Sequence, residues 1–324
     1  MEEEHDGPSG IGGRSVRRRE VGRLRGVISR KKEERGRLVG ELREKRVSGT
    51  RAEVLDLMHR EKTLRQDLFV LQQRVRAVRA GADHEVGALP DFAIIGAPKC
   101  GTTFLYHLLA KHPLVLHTAL KEPHYFDLFY EKGDEWYRRC FPPPRVAEDG
   151  RKTVSCDATP GYLAHPKAPR RMARLVPRAR LIALLRNPVD RVYSGYHFFG
   201  SRRGWDTAAF GRYVEEAFRD PHRTVLSKGV YVDQILRWRE FYAEDRMLVI
   251  KSEDFFADPR HTLHETLDFL ELPAWEPGDA DLGERRNKGS YERGIDPETR
   301  RRMEEFYEPH NRRLYELLGV DFGW

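Results

Sequence analysis

Residues 96–103 read Gly96-Ala97-Pro98-Lys99-Cys100-Gly101-Thr102-Thr103. An apolar run at 92–96 precedes them and a helix-forming run at 102–111 follows, the setting a phosphate-binding loop requires. The first amides of a helix have no intrahelical acceptor and carry a partial positive charge. Glycine lets the backbone come close to an anion, and Thr102 and Thr103 add hydroxyl donors. The chemistry implied is the holding of a phosphate-like anion. The loop departs from the nucleoside-triphosphatase pattern, which places Lys directly after the second Gly and Ser or Thr after that. Here Thr102 takes the lysine's place and Lys99 stands inside the loop. The run 153–157, ending in Asp157, is only a weak candidate for a magnesium partner. The loop therefore suits one phosphate plus a lysine, and no metal is expected. The plain alternative is a strand, a turn and a helix with incidental glycines.

Positioning such a loop takes a sheet. Apolar runs at 92–96, 153–157, 180–185 and 247–251 read as strands. Helical patterns fall at 102–111, 166–175, from 188 onward, and at 208–218, 229–242, 262–270 and 297–318. This alternation predicts an α/β fold of P-loop type, a mostly parallel sheet with helices on both faces, over residues 91–324. Ahead of it, residues 1–13 read as a disordered tail and 81–90 as a linker. Residues 14–80 read as helical. Val54, Glu61, Leu68 and Val75 form one heptad row and Leu57, Leu64, Leu71 and Val78 another. The first half is weaker, broken by Lys31, Arg35 and Lys45 and by Gly22, Gly26, Gly36 and Gly40. Ser48-Gly49-Thr50 reads as a turn, with Thr50 an N-cap. Two readings fit: a helical hairpin, or an intermolecular coiled coil that would make a homodimer, which the high charge favours slightly.

The bulk composition excludes several classes. Of 324 residues, 34% are charged and the net charge is +7, but residues 1–90 hold 21 Lys/Arg against 15 Asp/Glu, nearly all of that excess. No basic stripe with interleaved aromatics appears, so a nucleic-acid partner is not expected. The three cysteines, Cys100, Cys140 and Cys156, form no Cys-x-x-Cys pair, which argues against a zinc site or disulfide framework. No apolar run of roughly 18 residues suggests a membrane span, and the acidic N-terminus is unlike a signal peptide. A cytoplasmic protein is expected.

The loop and its downstream text resemble a known family. Residues 98–113 look like the 5′-phosphosulfate loop of sulfotransferases, which use 3′-phosphoadenosine 5′-phosphosulfate (PAPS) as donor. Arg186-Asn-Pro-Val-Asp-Arg-Val-Tyr-Ser194 looks like their 3′-phosphate segment. Lys121-Glu-Pro-His-Tyr-Phe-Asp127 and Asn287-Lys288-Gly289 resemble the heparan-sulfate-type branch. The resemblance covers about residues 91–324. It implies that Lys99 meets the sulfuryl group and bridging oxygen, and that Gly101, Thr102 and Thr103, with Cys100 in the same loop, hold the 5′-phosphate. Arg186 and Ser194 would bind the 3′-phosphate. Lys288 and Gly289 would lie on a loop closing over the donor. Glu122 matches the family's catalytic base, His124 a nearby active-site histidine, and Tyr231 and Trp238 a family helix. Asp157 stands where heparan-type enzymes place a lysine, which would disfavour a polyanionic acceptor.

Sulfuryl transfer needs positioning and fixed charge above all. A lysine at the bridging oxygen neutralises the leaving group. A carboxylate whose pKa the cleft raises can take the acceptor's proton. Each assignment has a plainer counterpart: Arg186 in a surface ion pair, Ser194 packed in its helix, Glu122 paired with Lys121, His124 structural, Lys288 on the surface, Trp238 in the core. The expected activity is sulfation of a hydroxyl, or less readily an amine, on a saccharide, glycolipid or small molecule. The rivals are a P-loop kinase and a non-catalytic coiled-coil scaffold with a vestigial donor site. Acceptor choice would lie in residues 126–145 and 197–205.

Overall fold

A computed structural model describes residues 11–80, 87–116, 118, 121–203, 209–219, 224–283 and 294–324. The chain divides into two units, residues 1–88 with 135–143 and residues 89–134 with 144–324.

The first unit is built on α1 (Ile11–Ser48) and α2 (Arg51–Ala80). Ion pairs Lys31–Asp67, Arg35–Glu61 and Lys45–Glu53, at 3.0, 2.7 and 2.7 Å, join them. Residue numbers fall along one helix as they rise along the other, so the helices are antiparallel: the hairpin reading is the one the chain adopts. Leu24 and Ile28 pack on Leu68 and Val75, and Leu38 and Leu42 on Leu57. The heptad seam that could have served a partner chain is thus covered from within. Thr50 caps α2 as expected. Its backbone N–H donates to the Glu53 carboxylate at 2.7 Å and its Oγ1 accepts the Glu53 N–H at 3.3 Å, a reciprocal capping box. One boundary differs from expectation. Helix α1 starts at Ile11, so residues 11–13 are not tail, and Gly22, Gly36 and Gly40 are carried inside it with open space around them. Residues 1–10 and 81–86 lie outside the described residues.

The second unit holds β1 (Phe92–Gly96), α3 (Thr102–Leu109), β2 (Val115–Leu116), β3 (Val154–Asp157), α5 (Ala168–Leu175), β4 (Arg180–Leu185) and α6 (Pro188–Arg203). A short α4 (Asp134–Arg138) precedes β3 in the chain. There follow α7 (Phe210–Arg219), α8 (Thr224–Ser227), α9 (Tyr231–Arg239), β5 (Met247–Lys251), α10 (Ser252–Ala257), α11 (Pro259–Phe269), α12 (Asp279–Gly283) and α13 (Pro297–Leu318). The strands pair in the order β2-β3-β1-β4-β5, every pair parallel. Ala93, Ile94, Ile95 and Leu181 through Leu185 are fully buried, as continuous apolar strands covered on both faces must be. The four expected strands stand within a residue of where the sequence put them. Strand β2 and helix α10 went unforeseen, one being two residues long and the other abutting β5 without a turn.

The chain leaves β3 on one side of β1 and re-enters as β4 on the other. In an open parallel sheet such a reversal opens a crevice at the carboxyl ends of the strands, where ligands bind. The loop after β1 and the residues after β3 and β4 all open there.

Candidate active site

The loop after β1 forms a cradle held from behind. Cys100 is fully buried, its thiol 3.8 Å from the Pro98 carbonyl and 3.9 Å from the Tyr231 hydroxyl. The Cys100 carbonyl accepts the Ser252 hydroxyl at 2.8 Å, which ties the loop to the start of α10. Gly101 has φ 88°, and a Cβ there would come within 3.0 Å of Phe256 and 3.3 Å of Phe255; only glycine fits on both counts. The Phe104 and Leu105 amides both donate to the Gly101 carbonyl. The amides of Gly101, Thr102 and Thr103 have no acceptor among the described residues. Three open donors at a helix start, one on a glycine, can hold an anion. Lys99 also has positive φ, 74°, a conformation costly for a residue with a Cβ and common where function demands it. Its ammonium lies 3.6 Å from the centroid of the Phe198 ring, a cation–π contact that holds the charge.

A chain of charged side chains borders the cradle. Lys121 Nζ donates to Thr103 Oγ1 at 2.9 Å and to Glu122 Oε1 at 3.0 Å. Glu122 Oε2 lies 3.2 Å from His124 Nε2, and His124 Nδ1 lies 2.8 Å from Asp127 Oδ2. Both imidazole nitrogens thus face carboxylate oxygens, and only the doubly protonated ring can donate to both. His124 has φ 54°, a second non-glycine residue held left-handed beside the loop. Burial pushes the Glu122 carboxyl up, but the His124 hydrogen bond and the Lys121 charge outweigh it and hold the pKa at about 2. This corrects the expectation of a raised pKa. The pairing with Lys121, foreseen as the plainer role for Glu122, exists together with its place in the chain.

Asp157 answers to a different role from either one the sequence suggested. It is fully buried, accepting the Thr159 hydroxyl at 2.6 Å and the Tyr162 hydroxyl at 3.0 Å. Tyr162 oxygen in turn accepts the Tyr125 N–H at 2.9 Å, so Asp157 anchors the segment carrying His124. It presents no bare charge to an acceptor. Asp157→Ala should therefore destabilise the protein by about 2–4 kcal/mol by stranding buried hydroxyls, with Asp157→Asn milder, as read from denaturant melts. A near-wild-type melt for the alanine variant would return Asp157 to the cleft.

Arg186 leaves the end of β4 half-buried, and its guanidinium makes no ion pair among the described residues. Ser194 is buried on α6. Tyr231 is buried and its hydroxyl donates to the Arg186 carbonyl at 2.9 Å, so it braces the cradle against the strand end. Trp238 is fully buried with its indole N–H on the Leu163 carbonyl, a core residue. Lys288 and Gly289 lie outside the described residues. Sequence reasoning missed Ser252, Glu253, which accepts the Asn187 N–H at 2.9 Å, and Phe198. A strand-end Lys251-Ser-Glu is the only signal that could have pointed to the first two.

The described residues hold no cluster of His, Cys, Asp and Glu able to bind a metal ion. None of their helices is long and apolar enough to cross a membrane. Residues 89–311 match the family described as the sulfotransferase domain. The chain is 31% identical over 261 residues to heparan sulfate glucosamine 3-O-sulfotransferase 6 of Homo sapiens, covering 72% of this chain and 73% of that protein. It is 26% identical over 320 residues to the membrane-associated sulfotransferase kil1 of Dictyostelium discoideum, covering 73% and 66%. A sulfotransferase from Alicyclobacillus acidocaldarius superposes with a TM-score of 0.58 at 25% identity, covering 72% of this chain and 98% of that one. With the cradle, the parallel sheet and these likenesses together, the chain belongs to the PAPS-dependent sulfotransferase family.

Proposed function

We propose that this chain moves the sulfuryl group of PAPS to a hydroxyl of a saccharide or related acceptor, with Glu122 as general base. The donor supplies an activated sulfuryl group. Gly101, Thr102 and Thr103 hold its 5′-phosphate through their open amides, and Arg186 and Ser194 hold its 3′-phosphate. Lys99 neutralises charge on the leaving oxygen. Glu122 takes the acceptor's proton, with His124 and Asp127 fixing its direction. The observation that carries this reading is Lys121, which bridges Thr103 of the cradle and Glu122. An anion in the cradle competes for that ammonium, and its grip on Glu122 loosens, so the base gains proton affinity when donor is present.

The human relative's name specifies a glucosamine 3-hydroxyl of heparan sulfate, which supports a sugar hydroxyl here. The internal engagement of Asp157 removes the objection to an acidic saccharide. The lysine expected of a P-loop kinase is absent at Thr102, and an intact Lys121–Glu122–His124 chain speaks against a vestigial site. The three cysteines are buried and form no disulfide, in keeping with a cytoplasmic protein. A homodimer through residues 14–80 would have to use outward faces of the hairpin.

Calorimetric titration with 3′-phosphoadenosine 5′-phosphate (PAP), run beside ATP with magnesium, tests the donor. Saturable PAP binding much tighter than ATP binding is expected. Folded protein that ignores PAP would rule the reading out.

A further inference from the structure

Arg191, in the first turn of α6, is 5% exposed. One amino group donates to the Val225 carbonyl at 2.7 Å. The Tyr307 hydroxyl, close enough to interact with the guanidinium, donates to the Leu226 carbonyl at 2.9 Å. Its Nε–H has no acceptor. Among the described residues no carboxylate pairs with it. The adjacent Asp190 is engaged by Arg300 at 2.6 Å; Glu253 accepts the Asn187 N–H through Oε1, its Oε2 is buried without a partner among the described residues, and it makes no ion pair with Arg191. Tyr231, Tyr307 and Cys100 lie within electrostatic reach of Arg191, and burial keeps all three neutral: it pushes the Cys100 thiol up to about 11, the Tyr307 hydroxyl up to about 12, and Tyr231 well above the usual phenol range. Lys228 brings a like charge within electrostatic reach, and the start of α6 adds the positive end of its dipole.

A buried cation with no counter-charge is strongly unfavourable, and such groups are ordinarily paired. Three features locate the missing partner. Arg191 and Arg186 both act on the thiol of Cys100, a residue of the cradle. Ser194 follows Arg191 by three residues on the same face of α6 and is equally buried. Tyr231, within electrostatic reach of Arg191, also holds the Arg186 carbonyl. Arg191 therefore lies one helical turn before Ser194 and within electrostatic reach of the loop after β1.

We propose that Arg191 is a positioning charge whose counter-ion is the bisphosphate of the bound nucleotide. It lies uncompensated in the free protein and is neutralised through the Cys100–Tyr231 layer when nucleotide enters, without touching it. This rests on the donor reading above. The test titrates full-length wild type and Arg191→Met with PAP, adenosine 5′-phosphate and adenosine, and melts each free protein. The methionine variant is expected to melt at or above wild type, since an apolar side chain replaces an unpaired buried charge. It should bind PAP about tenfold more weakly, adenosine 5′-phosphate less affected and adenosine unchanged, because the loss follows ligand charge. Arg191→Lys should restore most of the PAP affinity. A methionine variant that melts lower yet binds PAP like wild type would make Arg191 structural and overturn the proposal. Should that variant not fold, Arg191→Gln keeps a donor for Val225: PAP affinity unchanged there overturns the proposal equally, and a charge-graded loss supports it. Wild type that fails to bind PAP removes the donor reading itself, a separate outcome.

Discussion

Glu122→Gln is expected to lower kcat by about 10²–10⁴-fold while leaving PAP affinity within a few-fold of wild type. The substitution keeps size and one hydrogen-bond acceptor but removes the carboxylate that would take the proton. Lys121 keeps a partner in the amide oxygen, and the amide nitrogen takes the place of the oxygen that faced His124 Nε2, so the cradle side of the chain stays assembled. Single-turnover sulfation with labelled donor, beside PAP calorimetry, reads the two effects separately; turnover close to wild type would remove Glu122 as the base. The pH dependence follows from the same contacts. The folded carboxyl, at about 2, lies below its ordinary value near 4.5. A carboxylate depressed in this way contributes stability that is present above the unfolded value and is lost as pH falls from about 4.5 toward 2. Glu122 is thus ionised in the free protein throughout the neutral range, and any loss of kcat/KM between about pH 5 and 7 must come from another group. An acid limb in that range that persists in Glu122→Gln would agree; one that vanishes with the substitution would place the titration on Glu122 and contradict the hold of Lys121 and His124.

Lys99→Met should cost about 10²–10³-fold in kcat, the usual effect of removing one fixed donor from a developing negative charge. Methionine and lysine both carry a Cβ and an unbranched stem, so the left-handed φ of 74° costs the same in each and the melt should stay near wild type. The apolar chain can still lie on Phe198. What disappears is charge alone. A loss seen only in KM, with kcat intact, would assign Lys99 to ground-state holding of the donor and take it out of the chemical step.

These two residues also mark how far the sequence could be read. Lys99 was legible because a loop is local: its residues are neighbours in the chain, and the strand before and helix after it show in periodicity. Glu122 was legible only through likeness, since nothing in Lys121-Glu-Pro-His says that both ring nitrogens of His124 will meet carboxylates. The sign of the Glu122 shift could not be read at all. It depends on whether burial or two neighbouring cations prevail, and that is a matter of distances near 3 Å. Asp157 shows the same limit. An aspartate at a strand end looks like a site residue until Thr159 and Tyr162 are seen to occupy its oxygens. The heptad seam of residues 54–78 was visible, but a seam does not name its partner; ion pairs such as Lys31–Asp67 turn it inward.

By itself the sequence determined the parallel α/β class, the cradle at residues 96–103 and the family, because each rests on short-range pattern: apolar runs, a glycine at a helix start, a motif of fixed spacing. The tertiary structure alone decided which charges meet. Arg186, Tyr231 and Cys100 come together from three separated segments. Arg191 has no acid paired with it among the described residues, and Lys121 is set between Thr103 and Glu122. Coulomb energy depends on separation in space and on what water has been excluded, and neither is written in the order of residues.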